Sequence, residues 1–276
     1  MTSRARIKAR RASHEMRVAV RRPGASRHVL PDFLIIGGQR CGTTSLFEYL
    51  CRHPSVCRPV EKELQFFSYR FDRGVAWYRC HFPTVKAARG RKVFEATPYY
   101  LLHDQAPSRA ASVVPEARLV ALLRNPTERA WSHYQHNVLR GTEVLPFEEA
   151  LRAESERLDP GGDGSSDASS SHHKRHSYVT RGRYAEQLDR WLAVYPRNQL
   201  LVLFSEDLYR DPGATYARVL EFLGLPGHSL AEYRAHTRRG VWDGPPLSAA
   251  TRTHLEHSFA PHNAHLASLL GTDLPW

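Results

Sequence analysis

The run Asp32-Phe33-Leu34-Ile35-Ile36-Gly37-Gly38-Gln39-Arg40-Cys41-Gly42-Thr43-Thr44-Ser45 constrains this chain more than any other stretch. Phe33 to Ile36 is a short continuous apolar run, the pattern of a central parallel strand covered on both faces. Gly37 and Gly38 end it. From Ser45 to Leu50 the apolar positions Leu46, Phe47 and Leu50 suit the buried stripe of a helix, with Thr43 and Thr44 in its first turn. Backbone N–H groups around Gly42 and the positive end of the helix dipole make that turn a phosphate cradle. A nucleotide-like ligand is expected there.

The kind of cradle follows from what the loop lacks. Gly37 to Thr44 has the glycine spacing of the nucleoside-triphosphate loop, yet Thr43 stands at the lysine position and the cation has moved to Arg40. A kinase or ATPase uses that lysine on the terminal phosphates and an Asp on a second strand for magnesium. The strand-like run Leu200 to Phe204 is followed by Ser205-Glu206-Asp207, whose acids read as a helix N-terminus rather than a metal ligand. The expected ligand is a phosphorylated donor with no obligatory metal.

A second segment supplies the other half of such a site. Leu119 to Leu123 is strand-like and runs into Arg124-Asn125-Pro126-Thr127-Glu128-Arg129-Ala130-Trp131-Ser132-His133-Tyr134. Pro126 suits the first turn of a helix that Asn125 caps. Arg124 then lies at the carboxyl end of a strand and Ser132 on the next helix. Ligands of open α/β sheets bind outside the carboxyl ends of strands, so both segments face one crevice. An arginine fork with a hydroxyl suits a second phosphate. The plainer reading pairs Arg124 with Glu128 on the surface.

The two segments together resemble the sulfotransferases that use 3′-phosphoadenosine 5′-phosphosulfate (PAPS), and most of all their carbohydrate branch of heparan sulfate N- and O-sulfotransferases. Further matches are Lys62-Glu63-Leu64-Gln65-Phe66-Phe67, Glu95-Ala96-Thr97-Pro98-Tyr99-Tyr100, Arg181-Gly182-Arg183-Tyr184 and Phe222-Leu223-Gly224-Leu225, so the likeness runs from Asp32 to Trp276. It implies a three-layer α/β fold, a central parallel sheet with flanking helices of the P-loop NTPase-like kind. It also implies PAPS as co-substrate, no metal, and a glycan or other small-molecule acceptor. Arg40 stands where the family has a catalytic lysine. Gly42, Thr43, Thr44 and Ser45 would hold the 5′-phosphate, Arg124 and Ser132 the 3′-phosphate, and Gly38, Gln39 and Cys41 complete the loop. Glu63 aligns with the base of the heparan sulfate branch. His136, one turn after Ser132 on the same helical face, is the alternative base or an acceptor contact, and Lys62 a further cation.

Two departures limit the likeness. Ala96 replaces the lysine of the family's E-K-T-P pattern, and the late donor-binding loop K-G-R is matched only loosely by Arg238-Arg239-Gly240. The disulfide of the animal Golgi members near that loop has no counterpart. Cys41, Cys51, Cys57 and Cys80 read instead as free thiols of a reducing compartment, although Cys51 and Cys57 are near in sequence. No Cys/His spacing suggests zinc.

Composition agrees with one sizeable enzyme domain over residues 29–276. The chain has no apolar run of about eighteen residues and no secretory h-region, so a cytoplasmic protein is expected. Its net charge of +11 is concentrated in a basic arm, residues 1–28, that carries nine Lys or Arg and one Glu. Poor in apolar residues, the arm is expected to lack fixed structure. It carries the competing reading of a nucleic-acid-binding protein, but a solvated, nonspecific tail is preferred and no specific nucleic acid is expected. Strands are also expected at Val93 to Ala96 and Leu200 to Phe204, and helices at Pro126 to Leu139, Pro146 to Glu156, Arg183 to Tyr195 and Gly213 to Leu223. A Gly/Ser/His-rich stretch, residues 159–176, reads as a mobile loop beside the acceptor cleft, its histidines His172, His173 and His176 clustered by accident rather than for a metal.

Overall fold

The computed structural model describes residues 15, 16, 18–158, 175–235 and 242–276. Its principal elements, in chain order, are β1 (Phe33–Gly37), α1 (Thr43–Leu50), β2 (Val56–Cys57), β3 (Lys92–Ala96), α2 (Ala106–Val113), β4 (Arg118–Leu123), α3 (Pro126–Val138), α4 (Tyr184–Leu192), β5 (Leu200–Phe204), α5 (Ser205–Arg210), α6 (Pro212–Leu223) and α7 (Ala249–Leu270). Shorter helical turns connect them. The strands form one sheet in the order β2-β3-β1-β4-β5, and every pairing is parallel. Ile35 of β1 sits in register with Ala96 on one side and Val120 on the other. The carboxyl ends of β1, β3, β4 and β5 therefore open on one edge.

Strand alternation divides the core into two layers. Leu34, Ile36, Leu119 and Ala121 pack with Ala110 of α2, Leu188 and Trp191 of α4 and Leu266 of α7. Phe33, Ile35, Val120 and Leu122 pack on the opposite face with Leu46 and Leu50 of α1 and Val219 and Leu220 of α6. This is the expected three-layer arrangement, and each fully buried large side chain contributes about 1.5–3 kcal/mol.

The expected helix at Pro146 to Glu156 is two pieces, Phe147–Arg152 and Glu154–Leu158. The break turns Glu154 inward, where its carboxylate accepts the N–H groups of Val179 and Thr180 at 2.7 and 2.8 Å. Helix α7 had no clear stripe in the sequence, and Pro261 lies inside it. Its buried Leu255, Phe259 and Leu266 pack into the core, and at the surface Arg252 meets Glu128 at 2.7 Å while His262 Nδ1 lies 2.7 Å from Glu186 Oε1.

The arm departs from expectation. Residues 1–14 and 17 lie outside the described residues, but residues 18–21 are helical and Arg22–Arg27 is a 3-10 helix. Val18 and Ala25 are buried in the first core layer. Arg21 Nη1 donates to Cys80 O at 3.0 Å, and His28 Nδ1 lies 2.6 Å from Phe82 O. Two apolar contacts and backbone partners thus give residues 18–28 a defined place despite their charge. Of the Gly/Ser/His-rich stretch, residues 159–174, with His172 and His173, lie outside the described residues. His176 is buried, with Nε2 at 3.2 Å from Thr142 O.

Beyond α3, Glu143 joins Arg157 at 2.6 Å and accepts from Tyr178 at 2.8 Å. Burial pushes its carboxyl up, but Arg157, the Leu145 N–H and Tyr178 outweigh that and hold it at about 2, against an ordinary 4.5. The resulting stabilisation is complete above about pH 4.5 and is lost as the pH falls toward 2. Urea unfolding at stepped pH checks this. Glu143→Gln should cost about 3 kcal/mol at neutral pH and show a flatter acid loss across that window.

Candidate active site

The loop from Gly38 to Gly42 leaves the carboxyl end of the central strand and enters α1. Gly38 N–H donates to Leu122 O of β4 at 2.5 Å, turning the chain across the sheet edge. Two backbone positions shape the turn. A Cβ at Gly37 would stand 2.4 Å from Leu101 Cβ. Gly42, which precedes α1, has φ +86°, and a Cβ there would stand 2.8 Å from Leu208 Cδ2. Only glycine adopts that conformation without strain. The N-terminal amides of α1 consequently face the crevice with no acidic side chain in the first turn.

Three hydroxyls fasten this loop to its surroundings. Ser205 Oγ–H is shared between Cys41 O at 2.8 Å and Leu123 O at 2.9 Å, joining loop, β4 and α5. Tyr184 OH donates to Arg124 O at 2.9 Å and lies 3.9 Å from Cys41 Sγ. Ser132 Oγ accepts from Arg40 Nε at 3.1 Å. Arg40 itself holds φ 69°, an unusual conformation for a residue with a side chain. Burial pushes the Cys41 thiol up to about 11, so this cysteine is an inert core thiol.

The sequence-predicted residues meet as follows. Gly38, Cys41, Thr43 and Ser45 are buried, and Gln39, Arg40, Gly42 and Thr44 are half-buried. Asn125 caps α3 through the N–H groups of Thr127 and Glu128, with Pro126 in the first turn, as its sequence implies. Arg124 is half-buried at the end of β4 and does pair with Glu128, but loosely at 3.8 Å, while Glu128 is held at 2.7 Å by Arg252. Lys62 reaches Thr44 Oγ1 at 3.3 Å and Glu63 at 3.8 Å, bringing the Lys62-Glu63 segment to the first turn of α1. Glu63 is half-buried and accepts from Gln65 Nε2 at 3.0 Å. His136 is half-buried, its Nε2 3.4 Å from Arg140 Nη1. Arg238, Arg239 and Gly240 lie outside the described residues. Glu206 and Asp207 occupy the first turn of α5, where Glu206 accepts from Asn125 N–H at 2.9 Å. Among the described residues no group of three His, Cys, Asp or Glu side chains is arranged to hold a metal ion.

Several residues at the site were not singled out from sequence. Ser205 and Tyr184 are the loop fasteners just described. Tyr209, on α5, lies within the electrostatic reach of Arg124, Cys41 and Arg40. Arg181 is buried over the Tyr99 ring at 5.0 Å and donates to Ser177 Oγ at 2.7 Å. Burial pushes its guanidinium down to about 10. Arg129 is buried as well, donating through Nη2 to Tyr178 O; its Nε and Nη1 have no hydrogen-bond partner among the described residues. Burial, reinforced by Arg181 and Arg129, holds the His133 imidazole well below its ordinary range, so His133 is neutral at physiological pH. Ser205 had one readable signal, its place directly after a strand at the carboxyl edge. Arg129 and Arg181 stand in segments that the sequence marks, but their burial was not readable there, because it depends on α3 packing against the 175–183 segment.

Cavity volume does not mark this site. Open cavities of about 710 and 690 Å³ are lined by Thr84, Lys86 and Arg91, which precede β3, and by Phe33, Lys92 and Arg118 at the amino ends of β1, β3 and β4. The crevice at the carboxyl edge is identified by its donors and charges instead.

A parallel sheet with a glycine loop after its central strand, faced by an arginine and a serine from the next strand and helix, has the strand–loop–helix arrangement at which α/β proteins bind phosphorylated ligands. The chain belongs to the sulfotransferase domain family, whose model matches residues 30–259. It is 33% identical over 275 residues to bifunctional heparan sulfate N-deacetylase/N-sulfotransferase 3 of Homo sapiens, an alignment covering 89% of this chain and 31% of that protein. It is 36% identical over 202 residues to heparan sulfate glucosamine 3-O-sulfotransferase 6 of Mus musculus, covering 73% of this chain and 54% of the relative. The chain thus spans about a third to a half of the length of these relatives. Among solved structures, a sulfotransferase from Alicyclobacillus acidocaldarius superposes with a TM-score of 0.69 at 29% identity, covering 89% of this chain and 98% of that one.

Gly42→Ala should fold but lose about 1–2 kcal/mol, from its positive φ and the contact with Leu208, as read by urea unfolding. Gly271→Ala, also left-handed at φ 65° and ψ 33° but with nothing near its Cβ, supplies the comparison for backbone strain alone.

Proposed function

We propose that this chain transfers a sulfuryl group from PAPS to a hydroxyl, less readily an amine, of a carbohydrate or other small-molecule acceptor, releasing adenosine 3′,5′-bisphosphate. The observation that carries the reading is the 3.1 Å contact between Arg40 and Ser132. It joins the two sequence motifs across the carboxyl edge of the sheet. In this reading the amides and hydroxyls of Gly42, Thr43, Thr44 and Ser45, with Gly38, Gln39 and Cys41 shaping the loop, hold the 5′-phosphate. Arg124 and Ser132 hold the 3′-phosphate, and Arg238, Arg239 and Gly240 are added as donor-binding residues by their loose match to the family's late loop. Arg40 stabilises the charge that develops on the leaving phosphate. An arginine keeps this charge but does not serve as an acid, so it acts as an electrostatic clamp. With arginines in these places the phosphates need no metal.

Glu63 is the base. Its carboxylate takes the acceptor proton as the acceptor oxygen forms its bond to sulfur and the sulfur–oxygen bond to the phosphate breaks. Lys62, between Glu63 and Thr44, offsets charge on the transferring group. His136 contacts the acceptor from α3. The heparan sulfate relatives support a glycan acceptor, and the four free cysteines suit a reducing, cytoplasmic setting. No helix among the described residues is long and apolar enough to cross a membrane.

Incubation with ³⁵S-labelled PAPS and a panel of heparan-type oligosaccharides, lipids and phenols tests the reading. Transfer without added magnesium is expected; magnesium-dependent ATP turnover with no sulfuryl transfer would overturn it. Glu63→Gln should lower kcat by about 100-fold or more with adenosine 3′,5′-bisphosphate affinity retained in calorimetry. Arg40→Ala should lower both.

A further inference from the structure

Glu95 is the penultimate residue of β3, its side chain fully buried, at the same sheet edge as the glycine loop. Its Oε1 accepts from Thr97 Oγ1 and from Tyr100 OH, each at 2.7 Å, and its Oε2 accepts from Tyr78 OH at 2.5 Å. The backbone N–H of Leu64 also donates to it. Two of these hydroxyls look outward with their lone pairs. Thr97 Oγ1 accepts from Gln65 N–H at 3.3 Å, and Tyr100 OH accepts from Phe67 N–H at 3.2 Å. The segment directly after Glu63 is therefore fastened at Leu64, Gln65 and Phe67, directly or through one hydroxyl, to a single carboxylate.

Gln65 completes the path. Its backbone lies in the left-handed region at φ 57°, and its Oε1 accepts from Ser68 Oγ at 2.8 Å, which fixes the amide so that Nε2 donates to Glu63 Oε2 at 3.0 Å. We infer that Glu95 is a positioning residue for the reaction, holding the Glu63 carboxylate in place through Thr97 and Gln65. The inference rests on the reading of Glu63 as the base.

The physical reason for a carboxylate at this buried position is polarity. A carboxylate accepts only, so it draws the Thr97 and Tyr100 hydrogens inward and leaves their lone pairs for backbone N–H groups. A glutamine would present an NH₂ to one of them, reverse that hydroxyl, and strand a buried N–H beside the base. Burial raises the Glu95 carboxyl, and the three hydroxyls and the Leu64 N–H work against that rise. Tying three amides of an otherwise irregular segment is what the carboxylate gains in return for its desolvation.

The test compares Glu95→Gln, Thr97→Val, Thr97→Ser and Glu63→Gln in the full chain, with ³⁵S-labelled PAPS and the heparan-type oligosaccharide as substrates. Thr97→Val keeps side-chain shape and the Glu95 carboxylate but cuts the link to Gln65. It should lower kcat by roughly 10–100-fold while KM for PAPS and adenosine 3′,5′-bisphosphate affinity change by less than about twofold. Thr97→Ser should restore most of the loss, and Glu95→Gln should resemble Thr97→Val. Val219→Ala, in the opposite core layer, controls for stability: it should lower the melting temperature yet leave kcat unchanged. If Glu63→Gln abolishes turnover while Thr97→Val retains wild-type kcat, the positioning role is overturned and the base reading stands. If Glu63→Gln itself turns over normally, the base reading falls and the inference with it. Should Glu95→Gln not fold, Thr97→Val and Thr97→Ser decide the matter.

Discussion

The Ser205 hydroxyl lies between two carbonyl oxygens, Cys41 in the glycine loop and Leu123 at the end of β4, at 2.8 and 2.9 Å. The whole crevice depends on ties of this kind. Parallel pairing brings the carboxyl ends of β1, β3, β4 and β5 to one edge, but it leaves the loops that follow them without ladder partners. Side-chain hydroxyls supply what the ladder does not. Ser205 joins the loop to β4, Tyr184 fixes Arg124 by its carbonyl, and Ser132 holds the Arg40 guanidinium. On the other flank, Glu95 and its hydroxyl partners hold the segment that carries Glu63. The loop after β1 and the segment before Phe66 are thereby fixed relative to the same sheet.

Electrostatics follow from that architecture. Arg129 of α3 and Arg181 are withdrawn from solvent, and His133, also on α3, is kept neutral by burial and by their charge. Burying guanidinium groups is unfavourable by several kcal/mol each. Arg129 acts on the buried Cys41 of the glycine loop, and where the dielectric is low such a charge acts strongly on a nearby anion.

Local patterns in the chain anticipate much of this. The apolar runs of β1, β4 and β5, the glycine spacing of the loop and the Asn125-Pro126 helix start were all legible, because each is a short-range requirement of strand, turn or cap. The pairing of Arg40 with Ser132 was implied only by two motifs facing one edge. Less was legible where long-range contacts decide. The packed second half of the basic arm depends on Cys80 and Phe82. Helix α7 depends on the core contacts of Leu255, Phe259 and Leu266. The division of the 147–158 helix depends on backbone amides twenty-five residues further on that capture Glu154.

The sequence by itself determined the layered parallel sheet and the anion-binding turn, since burial on both strand faces and glycine at the loop leave few alternatives. The cation of that loop, Arg40, is likewise read directly from the chain. Only the tertiary structure decided which side chains hold that turn and its neighbouring carboxylate in place. Ser205, Tyr184, Glu95 and Thr97 act through hydrogen bonds between segments distant in the chain or bent back on one another. Such bonds form only after the sheet has set strand order and register, and no local spacing records them.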